Sequence, residues 1–314
     1  MRRLAPALVF LALAAGCSPG SDNPTVASGT PSTTAESVPS TTTIAAPPET
    51  AAPVTPAPSA STTRPRSSGA AAGVATLPEG SPTTVLEALA TAEPAIRDPA
   101  TSAGDLQRHG ESQQVAYRQL AIHPEWLPQV LDRLPEGLRG IVRANTEAGI
   151  ELRALTRPQT ALPPWRIVAP APAEELLGYY KAAEAEVGAP WNYLAAIHLV
   201  ETRMGRIRGT STAGAQGPMQ FLPSTWAQYG KGGDINSNRD AMLAAARLLV
   251  RNGAPGDMAN ALFNYNRSQR YVKAVTAYAQ QMAANERAYF GYYQWQVYYR
   301  LVDGDRLLPV GYGT

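Results

Sequence analysis

From residue 81 onward apolar positions recur at a spacing closer to 3.6 than to 2, the period of one-sided helices. TTVLEALATAEPAIRD, GDLQRHGESQQVAYRQLAIH and EGLRGIVRANTEAGIELRALT predict three helices. The second is stopped by Pro124, and the third carries Leu138, Ile141, Val142, Ile150, Leu152 and Leu155 as its apolar positions. TRPQTALPPWRIVAPAP, at 156–172, predicts a proline-rich connector. Beyond it, AEELLGYYKAAEAEVG runs to Gly188, a natural helix-ending residue. PWNYLAAIHLVETRMG has Pro190 just inside its start and is expected to end at Gly205. RDAMLAAARLLVRNG follows, with Asp240 placed to suit the positive end of the helix dipole. GDMANALFNYN and SQRYVKAVTAYAQQMAANERA complete the helical pattern, and no convincing strand pair precedes residue 290. The last stretch, YYQWQVYYRLVDGDRLLPVGYG, predicts a small hairpin around Asp303-Gly304. Its tyrosines are expected to pack on the helices rather than stack on sugars. The expected fold class is all-α, and the helices before the connector are expected to pack on those after it.

The first residues, MRRLAPALVFLALAAGC, place two arginines before an apolar run and then small residues, the pattern of a secretory leader. The run is too short to span a membrane comfortably, and no later stretch reaches about 18 unbroken apolar residues. Residues 1–16 are therefore expected to be a leader. The sole cysteine, Cys17, cannot form an internal disulfide. The segment resembles a bacterial lipoprotein signal, in which the cysteine is lipidated and becomes the new N-terminus. Ala14 stands where leucine is more usual, with Leu13 one place earlier; an ordinary cleaved leader is the alternative. Residues 17–80 are then Ser, Thr, Pro, Ala and Gly with few charges, and no aromatic residue occurs between Phe10 and Tyr117. Such a segment buries too little apolar surface to offset its conformational entropy. It is expected to be a disordered tether with an r.m.s. span of roughly 45 Å.

Charge narrows the partners. Two of the 27 basic residues, Arg2 and Arg3, lie in the leader, and the remainder balance the 25 acidic ones. That balance gives no electrostatic case for nucleic acid. DINSNRD, at 234–240, opens like a calcium loop, but the positions needing glycine and glutamate hold Arg239 and Ala245. His109, His123 and His198 lack zinc-ligand spacing. No metal and no cofactor is expected.

One residue is out of place. Leu194, Ile197, Glu201 and Met204 share a helical stripe that should face a core. The helical neighbours of Glu201 are Ile197, His198, Met204 and Gly205, none of them a lysine or arginine. Desolvation without a close cation would raise its pKa from about 4.3 towards about 6–7. STAGAQGPMQFLPSTW then places Gly214 and Gly217 beside Gln220, Phe221 and Trp226, and FNYN at 263–266 adds an amide and aromatic cluster. No acidic residue occurs between Glu201 and Asp234.

ETRMG, then S-x-A-G-A-x-G-P-M-Q-F-x-P-S-T-W, then N-Y-N-x-S-x-x-Y-V-x-x-V resembles the lytic transglycosylases, lysozyme-like enzymes that cut peptidoglycan, and within them the membrane-bound B-type. The motifs span roughly residues 190 to 280. The resemblance implies a lysozyme-like helical catalytic domain at 173–285, with a helical extension at 81–172 and an aromatic extension at 286–314. It implies that Glu201 is the single acid/base. Ser211 would help hold the substrate acetamido group, Met219 and Gln220 would line the cleft, and Tyr265 and Asn266 match the family's Y-N pair. Asn264 replaces the usual alanine, which leaves its role open.

The activity implied is cleavage of the β-1,4 bond between N-acetylmuramic acid and N-acetylglucosamine, with a 1,6-anhydro product. The partners implied are glycan strands and, through Cys17, the outer face of the cell membrane. Two rivals stay open: a goose-type lysozyme that hydrolyses the same bond, and a lipoprotein that only binds glycan.

Overall fold

The computed structural model describes residues 73–313. The leader, Cys17 and the tether up to residue 72 lie outside the described residues. The order is β1 (Ala75–Thr76), α1 (Pro82–Arg97), α2 (Ala103–Ile122), a 3-10 turn (Pro124–Trp126) running into α3 (Leu127–Arg133), α4 (Glu136–Leu155), β2 (Arg166–Ile167), α5 (Ala173–Val187), α6 (Trp191–Thr202), β3 (Ile207–Arg208), α7 (Pro223–Tyr229), α8 (Asn238–Arg251), α9 (Met258–Tyr265), α10 (Gln269–Ala284), α11 (Arg287–Tyr293), β4 (Val297–Leu301) and β5 (Gly304–Leu308). The class is all-α with short strands.

Local chemistry explains most of these limits. Ser81 opens α1 with a capping box: its hydroxyl accepts from the Thr84 N–H, and the Thr84 hydroxyl accepts from the Ser81 N–H. Ser237 caps α8 by accepting from the Asp240 N–H. Gly188 ends α5 in the left-handed conformation, φ 93°. The helix expected over 268–288 instead breaks at Asn285. There the side-chain oxygen accepts from the Arg287 N–H, a local turn that competes with helix and starts α11. The seven-residue helices α3 and α7 are too short for a clear period and went unpredicted.

One apolar cluster runs from Val85 in α1 to Trp295 after α11 and takes in buried residues on both sides of the 156–172 connector. The helices before the connector therefore share a core with those after it, with α4 against α10. A second cluster sits where the connector meets the C-terminal hairpin: Trp165, Ile167, Ile207, Val297, Tyr299 and Leu308. β4 and β5 form that hairpin with Leu301 opposite Gly304, whose φ of 115° closes the turn. The tyrosines of this region pack inward; Tyr289 and Tyr292 are buried. Two further short pairs form: β1 pairs with β5, and β2 pairs with β3, the latter a pair that lies wholly before residue 290, against expectation. The strand β1 lies inside the segment expected to be tether. Its Leu77 is buried and donates its N–H to the Asp305 carbonyl, so residues 75–77 belong to the folded body.

A buried polar network ties the early helices to the late ones. Glu93 in α1 pairs with Arg97 and accepts from Gln113 Nε2 at 3.0 Å and from the Tyr117 hydroxyl. Gln113 in turn accepts from Trp295 Nε1 at 2.9 Å, and Tyr292 donates to Asn145 at 2.6 Å. Removing one member strands the others without water. Glu93→Ala is expected to lower unfolding stability by about 2–4 kcal/mol in urea titrations; a loss under about 0.5 kcal/mol would show the network to be dispensable.

Candidate active site

α6 owes its place to its own composition. From Leu194 to Thr202 every residue is buried, because AAIHLV is apolar almost all round and such a helix can only sit in the centre of a core. The one-stripe picture understates this. The helix also ends earlier than expected, at Thr202, because Arg203, Met204 and Gly205 follow one another in the left-handed region with φ 54°, 59° and 79°. Met204 is thus off the helix, although it is buried. Two of the three carry a Cβ, and such residues cost of order 1–3 kcal/mol each. The turn is held by the Arg203 N–H on the Leu199 carbonyl and the Met204 N–H on the His198 carbonyl, each at 3.2 Å.

Glu201 is therefore carried into the interior one residue before the helix ends. It is 1 % exposed. Oε1 accepts from the Tyr271 hydroxyl of α10 at 2.9 Å, while Oε2 is buried with no partner. Burial pushes the carboxyl pKa up to about 8, and the Tyr271 hydrogen bond opposes the rise. No other acid and no cation acts on it among the described residues. With so little surface exposed, the carboxyl has almost no contact with solvent. His198, one turn earlier, is held neutral: burial first, then Arg208 and Arg206, lower its pKa to about 3. Its Nδ1 lies 2.7 Å from the Tyr180 hydroxyl, the place of a packed residue.

The glycine-rich stretch folds as a tight hairpin over 216–221, closed by the Gln216 N–H on the Phe221 carbonyl and its reciprocal. Gly217, at φ 73°, is fixed by space as well as by conformation: a Cβ there would lie 2.0 Å from the Ile235 carbonyl oxygen. The Thr202 hydroxyl donates to the Pro218 carbonyl at 2.7 Å, which locks this hairpin to the end of α6. Met219 is buried and its carbonyl accepts from the Tyr265 hydroxyl at 2.7 Å. Gln220 is buried at φ 48°, donates its amide to the Gly217 carbonyl and leaves Oε1 without a partner. Tyr265 of α9 lies parallel to Tyr271 with ring centroids 6.4 Å apart.

The structure thus links Glu201, Tyr271, Tyr265, Met219 and Gln220 through successive contacts. Asn266 caps the end of α9 beside them, and its side chain makes no hydrogen bond among the described residues. Ser211 is not joined to Glu201; its hydroxyl accepts from the Ala215 N–H within its own loop. Asn264 bonds Asn260, a local helical contact. Tyr271, the direct partner of Glu201, went unnamed among the expected site residues, although it is the tyrosine of the Y-V-x-x-V run. The 234–240 segment uses its aspartates for turns: Asp234 accepts from the Asn236 N–H, and Asp240 from the Asp234 N–H.

Comparison with protein families, curated proteins and solved structures finds no match to this chain.

The raised pKa has a thermodynamic consequence. Glu201 goes from 4.5, its ordinary value, to about 8 in the folded state. The folded chain then holds a proton between those values that the unfolded chain has lost. The stabilisation is complete below the ordinary value and disappears as pH rises through the folded one. Glu201→Gln abolishes this dependence. Its stability relative to the parent is expected to climb between pH 5 and pH 8, by about 3 kcal/mol at pH 7 and on the order of 1.4 kcal/mol per pH unit. Parallel pH curves for the two proteins in urea titrations would show that the carboxyl is not held protonated.

Proposed function

We propose that this chain is a peptidoglycan lytic transglycosylase whose helical body is a lysozyme-like catalytic domain. It would be exported, and anchored through a lipidated Cys17 to the outer face of the cell membrane. The observation that carries the reading is the state of Glu201: a lone carboxyl, buried, bonded only by Tyr271 and raised to about 8. At neutral pH such a group is protonated and stands close to the point of release, which is what a residue acting first as acid and then as base requires.

The steps balance without water. Glu201 gives its proton to the glycosidic oxygen as the bond from C1 breaks, and the leaving sugar departs as an alcohol. Glycosidases that hydrolyse need a second carboxylate, about 5–5.5 Å away as nucleophile or about 6.5–9.5 Å away as base for water. Among the described residues no carboxyl is bonded to Glu201 and none shifts its pKa. In this reading the substrate's own N-acetyl group supports the cationic C1. The ionised Glu201 then takes the proton of the C6 hydroxyl, and O6 closes on C1 to form the 1,6-anhydro sugar. Gln220, with its unpartnered Oε1, and Asn266 at the end of α9 would be the amides to meet sugar hydroxyl or acetamido groups in this reading. Ser211, engaged in its own loop, would have to turn to share in that contact.

Mass spectrometry of muropeptides released from purified cell wall tests the reading. Anhydro-muramyl ends are expected. Reducing ends would assign a hydrolase, and no release at all would leave only a binding protein. Glu201→Gln is expected to remove release by at least about 10³-fold while the helical circular dichroism is kept; persistent lysis in that variant would overturn the role of Glu201. Tyr271→Phe removes the one hydrogen bond that favours the ionised carboxylate. The alkaline limb of the pH–rate profile is expected to move up by about 0.5–1 unit, and a downward move would contradict the assignment.

A further inference from the structure

A second feature lies on the far side of the α6 turn and goes beyond the transglycosylase reading. A cavity of about 90 Å³ opens between α2, α4, α10 and β4. One water needs roughly 10–15 Å³ by this measure, so the cavity takes on the order of six to nine water-sized bodies, enough for a compact ion.

Its walls are unusual in charge. Arg118, Arg153, Arg157, Arg203 and Arg300 all line it, and no aspartate or glutamate does. Asp305, just outside, is the only carboxylate among the described residues bonded to any of the five. It takes Arg118 and Arg153. Burial would raise the Asp305 pKa, yet those two guanidiniums hold it below the usual range, so it is ionised and fully engaged. Arg300 donates to the carbonyls of Arg153 and Thr156 at the end of α4. Arg203 donates to the Leu199 carbonyl and has no carboxylate partner. The remaining contacts are aromatic: Arg118 lies 4.6 Å from the Tyr298 ring centre and Arg203 6.0 Å from that of Trp295. A ring face attracts the cation but gives its N–H groups only a weak acceptor. Nε of Arg118 is buried with no hydrogen-bond partner.

The backbone supports the same conclusion. Arg203 is held in a conformation that favours glycine, φ 54°, and this turn is what ends α6 and points the chain away from its axis. Arg203 is half-buried; a cation partly withdrawn from water without an anion is costly, and strain at such a residue commonly marks a functional site. Guanidiniums suit planar or tetrahedral oxyanions because each presents paired N–H donors. We infer that this cavity is a binding site for a small oxyanion, phosphate or carboxylate. The site is separate from Glu201 in its contacts. It is nonetheless joined to it through the α6 end, since Arg203 stands two residues along the chain.

The test is calorimetric titration of the full chain at low ionic strength with inorganic phosphate and, separately, with glutarate, which distinguishes the two oxyanions. Saturable binding of at least one is expected, with a dissociation constant of roughly 1 mM or tighter. Arg203→Met should weaken it by at least about tenfold and Arg157→Ala, at an exposed mouth position, by about threefold. Arg239→Ala, an exposed arginine on α8, should leave it unchanged. Absence of saturation by both anions, or binding undiminished in Arg157→Ala, would overturn the inference, and Arg157→Ala serves alone if Arg203→Met does not fold. Binding needs no catalysis, so its failure is distinct from failure of the muropeptide experiment.

Discussion

A carboxyl group removed from water with a single hydrogen bond is expensive to ionise, and α6 puts Glu201 in that position. The helix is apolar almost all round, so it must be surrounded. Once it is, the last turn travels inward with it. The neighbours of Glu201 supply one tyrosine hydroxyl and no cation. An arginine bonded to this carboxyl would have held it ionised and made it a structural ion pair. Without one, the proton stays, and the group becomes available for acid and base chemistry near neutral pH.

The three-residue left-handed turn after α6 organises both sides of the molecule. On one side the Thr202 hydroxyl grips the 216–221 hairpin, which presents the Met219 carbonyl to the Tyr265 hydroxyl and the Phe221 ring to the Tyr265 ring. On the other it sends Arg203 towards Trp295 and the arginine-lined cavity. Arg203 is kept from Glu201 by this geometry, although it is only two residues away. An acid and a base, close in the chain, are thus given different surroundings, one without a cation and the other without an anion.

The early helices matter to both regions. α4 packs along α10, the helix that carries Tyr271 towards Glu201 and Tyr278 towards the cavity. Two helical turns separate these tyrosines, about 10 Å along the axis. The Glu93 network fixes α1 and α2 to the region of Trp295, so the segment before the connector supports the walls of the cavity rather than standing apart.

The helical class, the major helices and the glycine that ends α5 were legible in the sequence because they depend on spacing and on side chains within a few residues. So was the order of the motifs around Glu201, and the lack of a cation at helical spacing. The early stop of α6, the break at Asn285 and the strand at residues 75–76 were not legible. Each depends on backbone conformation or pairing that composition does not report. The partner of Glu201 lies 70 positions away, and the arginines of the cavity come from α2, α4, the 156–159 segment, the α6 turn and β4. Periodicity tells which side of a helix faces inward. How completely it is covered, and by which charges, is decided only when distant segments meet, because desolvation and Coulomb energy depend on distance in space rather than along the chain.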